Sequence, residues 1–252
     1  MGRLTIVSLP IVYILEKNMK NVVLAVVGSR GRVSTSFASS LNRTSQLAEG
    51  KGVYIHFDSI EERTSGLSTA LQKNIIANRV LASEKADGIF FVHPDLSWVP
   101  DDFLRLATYG EDSIISGAYV DSFDMNEAYA ISLEDIANPE GPKEYPLATF
   151  VSMGFVYIPK KVLQGLTQFV DRLGDEGGSD TFYVFFKETI KENQLQPEDV
   201  YFCDVARSSG FNILVDPTVN CTNNSIAPLR TDYQAYLAKT WVSKMNEDIP
   251  QN

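Results

Sequence analysis

At 252 residues with 44% hydrophobic side chains, the chain can bury one large core, and its composition argues against extensive disorder. A formal net charge of −10 argues against holding nucleic acid by phosphate neutralisation, since no face dense in lysine and arginine can be read from the sequence. Two cysteines, Cys203 and Cys221, are too few for a disulfide scaffold, lack metal-type spacing and point to a reducing, cytoplasmic setting.

Residues 4–15 are apolar, but about 12 residues fall short of the roughly 20 that cross a bilayer, so no membrane span is expected. Pro10 interrupts the run and no small-residue cleavage site follows, which disfavours a signal peptide. Residues 1–18 are read as an extra strand or a poorly ordered extension, with Met19 as an alternative start.

Residues 22–27 predict a first strand, which runs into Gly28-Ser29-Arg30-Gly31-Arg32. Residues 34–48 carry helical spacing at Phe37, Leu41 and Leu47. Residues 53–57 predict a second strand ending at Asp58. Residues 66–85 read as a long amphipathic helix, with Leu67, Leu71, Ile75, Val80 and Leu81 on one face. Residues 88–92 are continuously apolar from Ile89 to Val92, as in a strand buried on both sides of a parallel sheet. That run stops at the polar turn His93-Pro94-Asp95, just past the strand's carboxyl end, where α/β proteins usually build a ligand site. Val99-Pro100-Asp101-Asp102 then opens a helix over 101–109, its acids placed to suit the helix dipole.

Residues 113–120 predict another strand, and 121–146 a hairpin with a long turn-rich loop around Asn138-Pro139-Glu140-Gly141-Pro142. Residues 149–158 read as one strand, with Gly154 marking a close backbone approach. Residues 159–169 have helix spacing, 175–179 read as a flexible hinge, and 182–186 form an aromatic segment. Pro197-Glu198-Asp199 is a helix start whose apolar face is Tyr201, Phe202 and Val205, closed by Gly210. On spacing alone the two acids are explained by the helix dipole. Residues 211–217 predict a strand that again stops at an acid and a proline. Alternation of strand and helix patterns predicts a layered α/β fold. The tail from Thr231, with Tyr233, Tyr236, Leu237 and Trp241, reads as a helix packed on the domain or as a homodimer contact. Asn42, Asn220 and Asn223 begin glycosylation sequons that are read as chance.

Two segments in this order, Phe91-Val-His-Pro-Asp-Leu-Ser-Trp-Val-Pro-Asp-Asp102 and Glu198 to Pro217, resemble nucleotide-sugar glycosyltransferases of the GT-A fold, in particular compact viral and bacterial members related to family 2. The resemblance spans roughly residues 20–225. It implies a Rossmann-like layered fold with a mostly parallel central sheet flanked by helices, in one domain over 19–230, with 231–252 as a tail. It also implies Mn²⁺ or Mg²⁺ held at an Asp-x-Asp turn against a UDP- or GDP-linked sugar donor. His93 stands at the first acid of that motif and Asp95 at the second, so Asp95 is the expected metal and donor ligand. His93 is either a ligand suited to Mn²⁺ more than Mg²⁺ or a hydrogen-bonding residue of the turn.

In the family an acid at the start of a late helix deprotonates the acceptor hydroxyl in inverting members. Asp199 matches it first, with Glu198 as the rival. A late histidine of the family is missing, and Asn220-Cys221-Thr222-Asn223-Asn224-Ser225 stands there instead. The nucleotide pocket would be lined by Gly28, Ser29 and Arg30, by Asp58 on the base edge, and by Lys73, Asn78 and Arg79 along the helix before the metal turn. Arg79 would be the bidentate diphosphate donor. Trp98 would close the sugar pocket or belong to the core. The resemblance thus implies transfer of a sugar to a hydroxyl acceptor, most naturally a glycan. The alternatives are a non-catalytic GT-A-like module that binds a glycan or nucleotide, and a sugar nucleotidyltransferase.

Overall fold

Apolar strands separated by amphipathic helices have to bury both sheet faces, and the chain does so in strict alternation at its start. The computed structural model describes residues 19–28, 32–59, 67–120, 131–133, 145–174, 181–225 and 234. In order these form β1 (Lys20–Val26), α1 (Thr35–Ala48), β2 (Val53–Ser59), α2 (Thr69–Ala82), β3 (Gly88–Val92), β4 (Leu96–Ser97), α3 (Pro100–Ala107) and β5 (Ser113–Ala118). The later elements are β6 (Ile131–Leu133), β7 (Ala148–Val151), β8 (Phe155–Pro159), α4 (Lys160–Leu166), β9 (Asp171–Leu173), β10 (Phe182–Val184), β11 (Thr189–Lys191), β12 (Gln194–Gln196), α5 (Glu198–Ser208), β13 (Asn212–Asn220) and β14 (Thr222–Asn223).

Six strands form the central sheet in the order β13-β5-β8-β3-β1-β2. All run parallel except β8, which lies antiparallel between β3 and β5. The period-two alternation of strand side chains divides the core between the two faces. On one face Val23, Ala25, Ile89 and Phe91 pack under Ile76 and Val80 of α2, Leu163 and Leu166 of α4 and Phe202 of α5. On the other, Val22, Leu24, Phe90 and Val92 pack against Phe37 of α1 and Phe103 and Leu106 of α3. This is the layered α/β architecture, largely parallel and flanked by helices, that the sequence predicts.

Helix starts follow their sequence signals. Ser34 caps α1 by accepting from the Phe37 amide at 3.0 Å, Ser68 caps α2, and α3 opens with Pro100 followed by Asp101 and Asp102. One expectation is corrected. Residues 149–158 are two strands, not one: Ser152–Gly154 turns the chain, β7 pairs with β6 and β8 enters the central sheet. The run is nearly continuously apolar because β8 is fully buried and β7 is buried at both ends, so composition hides the turn. The aromatic segment is strand only at Phe182–Val184. The expected extension over 1–18, the hinge over 175–179 and nearly all of the tail from 231 lie outside the described residues, as does most of 121–146.

Candidate active site

Because β1, β2, β3 and β5 are parallel, their carboxyl ends lie along one edge of the sheet, and antiparallel β8 begins at that same edge. The turns carrying Gly28, His93–Asp95, Tyr119 and Ser152–Gly154 therefore converge there.

The His93–Asp95 turn is pinned through its backbone. His93 N–H donates to the Gly154 carbonyl at 2.7 Å, Ser34 N–H to the Pro94 carbonyl at 3.0 Å, and Asn224 N–H to the Asp95 carbonyl at 2.8 Å. The Asn224 side-chain amide adds a 3.0 Å bond to that same carbonyl and another to Ser97 Oγ, while β14 pairs with β4 beside it. Fixing the backbone leaves the side chains outward, His93 46% and Asp95 37% exposed. The Asp95 amide faces His93 Nδ1 at 3.4 Å, and that nitrogen lies 4.0 Å from Asp95 Oδ2. The 220–225 segment carries no histidine; the residue that reaches the turn from it is Asn224.

Among the described residues no three His, Cys, Asp or Glu side chains converge as a metal cage. Asp95 offers one carboxylate and His93 one imidazole. Such a pair suits a divalent ion that takes its other ligands from diphosphate oxygens and water, as Mg²⁺ usually does, with the imidazole better suited to Mn²⁺.

Across the Ser152–Gly154 turn lies a buried charge cluster. Lys73 on α2 reaches the first turn of α5, where its Nζ lies 3.0 Å from Glu198 Oε1 and also pairs with Asp199 Oδ1. The three side chains are only 6%, 14% and 13% exposed. Thr69 Oγ1 donates to Glu198 Oε1 at 2.7 Å, and the Met153 amide donates to Asp199 Oδ2 at 2.9 Å. The acids that spacing assigns to the helix dipole thus also neutralise a cation from another helix.

Burial pushes the Glu198 carboxyl up, but the Lys73 charge and the hydrogen bonds from Thr69 and Lys73 outweigh it and hold the group below the usual carboxylate value of 4.5. A lowered folded value means that the unfolded chain binds the proton more tightly. The contribution of Glu198 to stability is therefore present above pH 4.5 and lost as the pH falls through its folded value. Urea unfolding between pH 7 and pH 3 should show this loss in the wild type, and a shallower acid slope in Glu198→Gln.

Ser152 was not predicted from sequence. Its Oγ accepts from the Tyr119 hydroxyl at 2.8 Å and donates to Asp199 Oδ2 at 3.4 Å. Gly154 is required beside it, because a Cβ there would run into the Tyr119 ring and hydroxyl.

Asp58 and Arg79, expected at the base edge and the diphosphate, are paired with each other: Arg79 Nη1 lies 2.9 and 3.2 Å from the two Asp58 oxygens. Gly28 turns with φ of 72°, and its N–H is taken by Gln72 Oε1 at 3.1 Å. Ser29 and Arg30 lie outside the described residues. Lys73, expected along the nucleotide pocket, belongs to the acid cluster.

Asn78 corrects the sequence reading. Its amide donates to the Tyr183 carbonyl and accepts from the Tyr183 N–H, as Asn74 one turn earlier does with Phe186, so both serve as a strand-like seam for the 183–186 backbone. Trp98 is core: it is 5% exposed, edge-on to Phe37, and its indole N–H donates to Thr44 Oγ1 at 2.9 Å. The same bond uses the Thr44 hydroxyl of the sequon at Asn42, and Asn223 is buried. No helix among the described residues is long and apolar enough to cross a membrane.

No protein-family model and no curated protein sequence matches the chain. Solved structures do. A197 from STIV superposes with a TM-score of 0.50 at 15% identity, covering 86% of this chain and 91% of that one. GalNAc-T7, solved with UDP, GalNAc and Mn²⁺, gives 0.43 at 9%, covering 82% of this chain and 44% of that one. The inositol-1-phosphate CTP transferase from T. maritima gives 0.41 at 14%, covering 94% and 100%. Of these three, A197 alone reaches 0.5, and at 15% identity it shows a shared fold.

Proposed function

We propose that the chain is a glycosyltransferase that moves a sugar from a UDP- or GDP-linked donor to a hydroxyl group of a glycan, with inversion at the anomeric carbon. One observation carries this reading. A single three-residue turn holds the two halves of the required machinery: Met153 N–H fixes Asp199, and the Gly154 carbonyl fixes His93 in the Asp95 turn. A direct displacement needs its base on one side of the sugar and its leaving group on the other, at fixed separation. The sequence resemblance to GT-A enzymes supports the same assignment.

In this mechanism Asp199 Oδ2 accepts the acceptor hydroxyl's proton as the oxygen attacks the anomeric carbon and the bond to the diphosphate breaks. Glu198 shares Lys73 with it, so the single ammonium offsets part of the charge of both carboxylates. Asp95, with His93 as second donor, would hold a divalent ion, which when bound supplies positive charge against the departing diphosphate. Arg79, 38% exposed and paired through Nη1 with Asp58, keeps further N–H groups that would donate to the diphosphate. Gly28, in the turn that ends β1, would border the donor on the same edge.

A second reading, a non-catalytic module that binds a nucleotide or glycan, draws support from the two-donor set at Asp95. Thermal melting with UDP-, GDP- and dTDP-sugars plus Mn²⁺, followed by crystal soaks, tests whether there is a donor site at all. We expect one donor class to raise the melting temperature of the wild type and not of Asp95→Asn. No shift with any donor would overturn the transferase reading and the nucleotide-binding form of the second.

A further inference from the structure

Asp199 Oδ2 has two donors of unequal quality. The Met153 amide makes a full bond at 2.9 Å, whereas Ser152 Oγ stands at 3.4 Å, longer than the roughly 2.5–3.0 Å usual for a hydroxyl donor and so a weak contact. The Ser152 oxygen in turn accepts from Tyr119 at 2.8 Å. Tyr119 is itself fixed: it is buried at 3% exposure with its ring against Gly154, where no Cβ fits. Ser152, by contrast, is partly exposed and lies in a turn between two strands, where a single side-chain torsion moves its hydroxyl off the carboxylate.

We infer that Ser152 caps the base: its hydroxyl stands where an acceptor hydroxyl must stand to be deprotonated by Asp199, Tyr119 holds it there, and the cap discriminates against water. This deepens the glycosyltransferase reading and rests on it. A glycan hydroxyl anchored by the rest of its sugar displaces the long Ser152 bond, because its remaining contacts offset the exchange. Water has no such anchor, so it meets a carboxylate oxygen already engaged by two protein donors. Tyr119 and Ser152 are positioning residues in this scheme, acting through Asp199.

The test is hydrolysis of UDP- and GDP-sugars with Mn²⁺, in which water is the acceptor, followed as release of nucleoside diphosphate, with melting temperature recorded for every variant. Ser152→Ala should hydrolyse donor about three-fold faster than wild type or more, since the long hydrogen bond it removes is a weak one. Tyr119→Phe should move in the same direction by less, because Ser152 remains but loses its anchor. Ser152→Ala combined with Asp199→Asn should be no faster than Asp199→Asn alone. A residue that merely supports the fold would lower the rate or leave it unchanged. If Ser152→Ala and Tyr119→Phe melt like the wild type and hydrolyse no faster, the cap is refuted while the transferase reading stands. If no variant hydrolyses any donor, the transferase reading fails and the cap with it.

Discussion

Lys73→Met is expected to destabilise the protein by about 3–5 kcal/mol, the range for removing one partner from a buried ion pair. Lys73, Glu198 and Asp199 are all largely withdrawn from water, and the ammonium is the only cation within contact of either carboxylate among the described residues. Methionine keeps the aliphatic stem in place, so packing survives and the loss reports the charge. The two carboxylates are then left beside each other without a counter-charge. Adding Glu198→Gln to Lys73→Met should recover part of the loss, because one buried carboxylate costs less than two. The measurement is the urea midpoint at pH 7 for the two single variants and the double. Strictly additive effects in that cycle would mean that Lys73 and Glu198 are not coupled.

Asp199→Asn is expected to lower donor turnover by about 10²–10⁴-fold, the usual contribution of a positioned general base. The amide is close in shape to the carboxylate, and its oxygen can still accept from the Met153 N–H. Its nitrogen cannot accept a proton, and Glu198 remains to pair with Lys73. The fold should therefore persist, which circular dichroism and melting check. Glu198→Gln should slow turnover less, since Glu198 shares the cation but lacks the Met153 contact. If the order of the two effects reverses, Glu198 is the base.

The parts of the molecule that were legible in the sequence are those governed by local rules. Residues 88–92 announce a doubly buried strand by being apolar throughout, Pro100-Asp101-Asp102 announces a helix start, and Pro197-Glu198-Asp199 does the same for α5. The parts that were not legible depend on pairs distant in the chain. Lys73 lies 125 positions from Glu198, and nothing in its helix distinguishes a lysine aimed at a phosphate from one aimed at two acids. Ser152 sits inside an apolar stretch that reads as one strand, so its turn is hidden by the burial of both neighbours. Gly154 was the available signal, read correctly as a close approach but without its partner, Tyr119. Asn224 carries no local signal, because its amide acts on the Asp95 carbonyl 129 positions away. The β11–β12 hairpin gave no pattern because Ile190 and Leu195, paired across it, are both exposed.

The claim that Asp95 and Asp199 serve one reaction is tested most directly by Mn²⁺-dependent release of nucleoside diphosphate from UDP- and GDP-sugars in wild type, Asp95→Asn and Asp199→Asn. If the proposed reaction holds, slow, Mn²⁺-dependent release by the wild type is expected, with its loss in both variants and donor binding lost only in Asp95→Asn. Release by Asp95→Asn at the wild-type rate, or donor binding by the wild type with no release under any metal condition, would contradict it.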